Sequence, residues 1–87
     1  MRDSSAFRKA VRTNVSREQR EAAIDTLVEA GDCVNLGIIV RMGGLRGAYR
    51  RRALDGLATR GCTDELAAVA DDTSVPETLR ARAARFS

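Results

Sequence analysis

The chain is 87 residues long, 44% hydrophobic and 31% charged, with 15 basic residues against 12 acidic and a net charge of +3. That length holds one small domain, and that balance supports a modest core rather than a disordered polymer. There is no His and no Trp, and the aromatic residues are Phe7, Tyr49 and Phe86, which excludes imidazole acid–base chemistry, His metal ligation and an aromatic platform for stacking bases.

In chain order, residues 5–15 form a first, half-length segment with Phe7, Ala10 and Val11 apolar. Ser16 followed three residues later by Gln19 is a capping-box pattern, so a helix is expected from Ser16 to Ala30, with Gly31 at its left-handed stop. Ala23, Ile24, Leu27 and Val28 make its inner stripe. A shorter helix over Cys33–Met42 turns Leu36, Ile39 and Val40 inward, and Met42-Gly43-Gly44 breaks it. Ala53, Leu54, Leu57 and Ala58 mark the next long helix, which Gly61 ends. Thr63 is the expected cap of a short helix over Thr63–Asp71, with Leu66, Val69 and Ala70 facing inward. Asp71-Asp72-Thr73-Ser74 is turn chemistry, and Pro76 suits the first turn of a last helix running to Phe86. No segment keeps the alternation of a strand.

Shifting the sequence by 30 residues aligns Arg20, Arg50 and Arg80, then Ala23, Ala53 and Ala83, and pairs Asp25 with Asp55 and Gly31 with Gly61. A fixed period of this size is the mark of helix pairs that bury their apolar faces against their neighbours. The expectation is one all-α domain over residues 1–87, a short solenoid of about 30-residue helix pairs: a half repeat at 5–15, repeats at 16–45 and 46–75, and a terminal helix at 76–86.

The run Arg20-x-x-Ala23-x-x-x-Leu27-x-x-x-Gly31-Asp32, echoed by Arg50-x-x-Ala53-x-x-x-Leu57-x-x-x-Gly61, resembles the HEAT-like repeat of the type found in phycobilin lyases. The resemblance implies a curved helical scaffold for protein contacts, in a family where some members use basic faces on nucleic acid. It does not imply lyase activity, because nothing here matches a catalytic motif.

Cys33 and Cys62 stand 29 residues apart and form no CxxC motif. Met1-Arg2-Asp3-Ser4 opens no export signal and no His completes a zinc set, so partly buried thiols are expected rather than a disulfide or a metal site. No apolar run approaches the roughly 18 residues of a membrane span. The expectation is a cytoplasmic protein with no membrane, metal or cofactor.

Charge is blocked along the chain: five Arg and no acid from Cys33 to Leu54, then five acids and no base from Gly61 to Leu79. Arg50 falls on the side of Leu54 and Leu57, so its stem is expected to pack and its head to reach a carbonyl or carboxylate, with Arg20 and Arg80 alike. Arg41, Arg46, Arg51 and Arg52 are left as the candidate anion or partner surface, with Arg51 also placed to pair with Asp55 one turn on. A solvated or intramolecular charge network is the first reading of this cluster, and a surface for phosphates or an acidic partner the alternative. Repeated Asp25 and Asp55 read as stacking or turn-capping partners, not as a catalytic pair. Gly43-Gly44 and Gly47 read as a connection, since no Gly-Lys-Ser/Thr follows.

A solenoid this short, with Phe7, Val11, Leu79 and Phe86 on its end helices, suits self-association or docking onto a larger protein. The expected function is therefore a non-enzymatic protein-interaction module. A weak nucleic-acid binder using the arginines from Arg46 to Arg52 is the alternative.

Overall fold

The computed structural model describes residues 4–86 and builds them from six helices with no strand: α1 Ser4–Val11, α2 Arg17–Glu29, α3 Cys33–Val40, α4 Gly47–Thr59, α5 Thr63–Ala70 and α6 Glu77–Phe86. The domain is all-α, with short and long helices alternating up to the final one.

Helix α2 starts at the expected box. The Ser16 hydroxyl accepts from the Gln19 N–H at 3.1 Å, and the Gln19 side chain accepts from the Ser16 N–H at 3.1 Å. Its end follows from Gly31, whose φ of +66° lies where a Cβ is disfavoured. With the chain turned that way, Gly31 N–H reaches the Val28 carbonyl and Asp32 N–H the Leu27 carbonyl, both at 3.0 Å. These two bonds satisfy carbonyls that the helix would otherwise leave open. Cys33 N–H then bonds the Gly31 carbonyl at 3.0 Å across a tight three-residue turn, and α3 begins at once.

Gly61 has the same φ and the same pattern: Gly61 to Ala58, Cys62 to Leu57 and Thr63 to Gly61, at 2.8–3.1 Å. The two turns differ in their caps. Asp32 accepts from the Asn35 backbone at 3.3 Å and the Asn35 side chain at 2.8 Å. Cys62 holds the corresponding place before α5 without a side-chain cap, and Thr63, expected to cap that helix, is its first helical residue instead.

Cys62 is engaged elsewhere. It forms a disulfide with Cys33, their Cα atoms 5.7 Å apart. The expectation of two thiols is therefore wrong, and the reason is geometric. A sequence separation of 29 carries the chain from the start of α3 to the start of α5, and these helices pack side by side.

The strongest packing joins each short helix to the long helix that follows it: α1 to α2, α3 to α4 and α5 to α6. This grouping is offset from the segmentation at 16–45 and 46–75, because α2 and α4 touch their following short helices less extensively. Successive pairs then meet long helix to long helix, α2 on α4 on α6, and short to short, α1 on α3 on α5. Gly56 permits the first of these approaches, since a Cβ there would run into Val28. Ile24, Leu27, Leu36, Ile39, Leu54, Leu57, Leu66 and Val69 fill the space between, each at most 1% exposed.

The radius of gyration is 11.8 Å, against about 12 Å for a compact domain of this length. The helix ends are better covered than expected: Leu79 is buried and Phe7 and Val11 are half-buried, while Phe86 stays exposed. Among the described residues the other exposed large apolar side chains are Val34 and Ile38, one turn apart on α3.

The disulfide closes a loop of about 30 residues, for which the loss of unfolded-state freedom is worth about 3–4 kcal/mol. Replacing Cys33 and Cys62 together by Ser is expected to lower the thermal midpoint by more than about 10 °C, given about 4–8 °C per kcal/mol in a domain of this size. Scanning calorimetry of the double variant beside the oxidised and reduced parent checks this.

Candidate functional site

Two arginines of the aligned column are buried. Arg50 is 6% exposed and its Nε donates to the Val40 carbonyl at 2.7 Å; Arg20 is 8% exposed and its Nη1 donates to the Ala10 carbonyl at 2.6 Å. Each acceptor lies in the last turn of the short helix packed against that arginine's own helix. A guanidinium there serves both the open carbonyls and the negative end of the helix dipole. Arg80 departs from the pattern: half-buried, it donates from Nε to Val75, five residues back, at 2.9 Å.

The aspartates of the second column hold neighbouring long helices together. Asp25 on α2 receives a two-pronged contact from Arg52 on α4, at 2.9 and 2.7 Å. Asp55 on α4 receives the same from Arg82 on α6, at 2.6 and 3.0 Å. These hydrogen bonds push both guanidinium groups further above their ordinary pKa, so they are charged at every working pH. The partners are too exposed for the pairs to add much stability. Their role is to set register.

These contacts divide the four-arginine candidate surface. Arg52 is taken by Asp25, with Glu21 at 4.0 Å, and Arg41 lies 3.6 Å from Asp72. Arg51 does not take Asp55, which Arg82 occupies instead. Arg51 lines a shallow groove between α4 and α6 with Arg82 and Arg85. Arg46 lies elsewhere, at the N-cap of α4, without a side-chain cap bond.

Around Arg46 the structure assembles residues that are far apart in sequence. The α1–α2 connection and the α3–α4 connection enclose a groove of about 610 Å³ lined by Arg12, Arg17, Arg20, Arg46 and Tyr49. Val11, Val15, Met42 and Leu45 supply its apolar lining, and no acid contributes. Among the described residues no carboxylate pairs with Arg12, Arg17 or Arg46, and all three are exposed.

Arg20 is the buried member of this wall. Its guanidinium carbon sits 5.1 Å from the centre of the Tyr49 ring, a cation–π contact that ties α2 to α4. Arg50 spends its Nε on a carbonyl, whereas Arg20 spends Nη1, and the Arg20 Nε is buried without a hydrogen-bond partner. Leaving a buried donor unpaired costs about 1–3 kcal/mol. The periodic spacing pointed to Arg20, but Arg12 and Arg17 carried no sequence signal beyond being basic residues beside the first turn.

Gly43 and Gly44 sit in the α3–α4 turn with open space where a side chain would go. No helix among the described residues is long and apolar enough to cross a membrane, and these residues hold no group of three or more metal-ligating side chains. Compared with known proteins, the chain matches no family model, no curated protein and no solved structure.

Substituting Arg50 by Met keeps the packed stem but strands the Val40 carbonyl. The expected loss is about 1.5–3 kcal/mol in urea denaturation, the value of a hydrogen bond to a charged group. A second outcome concerns pH. The Asp72 carboxylate accepts from the Ser74 hydroxyl at 2.6 Å and the Ser74 N–H at 2.9 Å, and these bonds, with Arg41 nearby, hold its pKa below the ordinary value. A carboxyl lowered on folding adds stability above its unfolded pKa, and that stability is lost as pH falls through the folded one. Ser74→Ala is therefore expected to raise the Asp72 titration midpoint towards the ordinary carboxylate range, read from the side-chain carboxyl carbon by NMR.

Proposed function

We propose that the chain is a HEAT-like helical-repeat module whose function is to bind another protein, without catalysis. The observation that carries this reading is the pair of equivalent ion pairs, Asp25 with Arg52 and Asp55 with Arg82, each spanning 27 residues. They join consecutive long helices by one recurring contact, as expected of units built to stack. Support for the repeat also comes from the matching turns at Gly31 and Gly61, and from Arg20 and Arg50 each reaching a carbonyl ten residues back.

The chemistry of the surface favours contact over catalysis. The repeated carboxylates are held by guanidinium groups, and the grooves are open clefts lined mainly by Arg and apolar side chains. The partner is a second protein or another copy of this chain, for which exposed Val34 and Ile38 offer an apolar contact. The nucleic-acid alternative loses ground, because Arg52 and Arg41 are engaged inside the chain.

The cytoplasmic setting expected from the sequence and the Cys33–Cys62 disulfide pull in opposite directions, since cytosolic thiols are kept reduced. Alkylating the protein as it leaves its native cells decides between them.

Affinity capture from native lysate, with and without nuclease, tests the function. One protein retained in stoichiometric amount after nuclease treatment is the expected result. Capture that disappears with nuclease, together with an affinity falling steeply with salt, would instead identify a phosphate-binding surface.

A further inference from the structure

The arginine-lined groove has a composition that specifies its occupant more closely than the interaction reading does. We propose that the groove between the α1–α2 and α3–α4 connections binds an acidic segment of the partner protein, one in which carboxylates alternate with apolar side chains. The proposal rests on the protein-interaction reading and names the partner chemistry for it.

Three observations carry it. First, Arg12, Arg17 and Arg46 converge on one cleft from separate segments, exposed and without a carboxylate partner among the described residues. Arg41 and Arg52, by contrast, are engaged within the chain, by Asp72 and Asp25. Charge collected in one place and left uncompensated is complementary to an anion. Second, the cleft is not purely basic. Val11, Val15, Met42 and Leu45 lie between the arginines, so a ligand must present apolar surface beside its charge. An acidic peptide with interspersed apolar residues does so; a phosphate backbone does not. Third, the groove offers little surface for base stacking. Tyr49 is the aromatic residue of the groove; it is half-buried and the Arg20 guanidinium covers one face of its ring at 5.1 Å, which leaves an incoming base little of the exposed aromatic surface that single-strand binders use.

Arg20 adds a fourth, supporting point. It is 8% exposed, belongs to the groove lining and keeps a buried Nε without a hydrogen-bond partner. Arg50, in the corresponding place one pair along, has that atom satisfied. The one buried side-chain donor left unmet among the described residues thus belongs to the wall of the groove in question.

The test uses fluorescence anisotropy with the full oxidised chain. The probe is a short fluorescein-labelled peptide alternating Glu and Leu, compared with a Gln–Leu analogue, a Glu–Ser analogue and a short DNA duplex. Binding is expected for the Glu–Leu peptide, about tenfold or more weaker for each analogue, and weaker again for the duplex. Arg12→Glu with Arg46→Glu should reduce Glu–Leu binding by about tenfold or more. Arg51→Glu, in the separate groove between α4 and α6, should leave it unchanged. All these positions are exposed, and far-UV circular dichroism with a thermal melt confirms that each variant is folded.

Equal binding by the double variant and the parent overturns the proposal, as does tighter binding of the duplex through the same two arginines. Loss of the charge requirement, with Gln–Leu binding as well as Glu–Leu, also overturns it. A partner captured from lysate equally by the double variant and the parent overturns the groove while leaving the interaction module standing, so the two failures are told apart.

Discussion

A buried guanidinium at the end of the preceding short helix is the constraint on which the packing of the first two helix pairs depends. A short helix that stops inside a domain leaves carbonyls that water cannot reach, and something must donate to them. In α3 that donor is Arg50, whose Nε meets the Val40 carbonyl at 2.7 Å. The contact fixes how far α4 lies from α3, and it buries the arginine stem on the side of α4 that also carries Leu54 and Leu57, where the hydrophobic effect does the rest. Arg20 performs the same service for α1. In the last pair Arg80 turns back to its own approach loop at Val75, and the attachment of α6 falls to Leu79, Ala83 and the Arg82–Asp55 pair.

Once the helices are stacked in this way, charge that is segregated in sequence becomes interleaved in space. The basic run from Arg41 to Arg52 does not make a basic face. Arg52 crosses to an acid 27 residues before it, Arg41 to one in the α5–α6 turn, and Arg50 goes inward. Part of the positive charge left without an acid ends up around a cleft whose members, Arg12, Arg17 and Arg46, come from parts of the chain that no linear count of charge would combine.

Local chemistry was legible in the sequence where it was decided within one turn of backbone. The Ser16–Gln19 box and the glycine stops at Gly31 and Gly61 are of this kind, and the helix bounds fall within about two residues of expectation. The inward heads of Arg20 and Arg50 were legible too, because their helical positions coincide with apolar stripes. What escaped were contacts between consecutive pairs. Arg51 was assigned to Asp55 by its spacing on one helix, but the carboxylate is presented to α6, where Arg82 reaches it with two nitrogens instead of one. The disulfide escaped for the same reason. A separation of 29 is one residue short of the period, and that near-coincidence has meaning only once α3 and α5 are known to be neighbours.

The disulfide also makes a ring of the middle of the chain. Cys33 and Cys62 enclose α3, the α3–α4 turn and α4, and exposed Gly43 and Gly44 lie at the tip of that turn. Such a tip is where a protease cuts first. A cut there opens the ring without releasing anything: both fragments keep a cysteine of the same bond, so the nicked molecule has two chains and one mass. Electrophoresis shows the break only after a reductant is added.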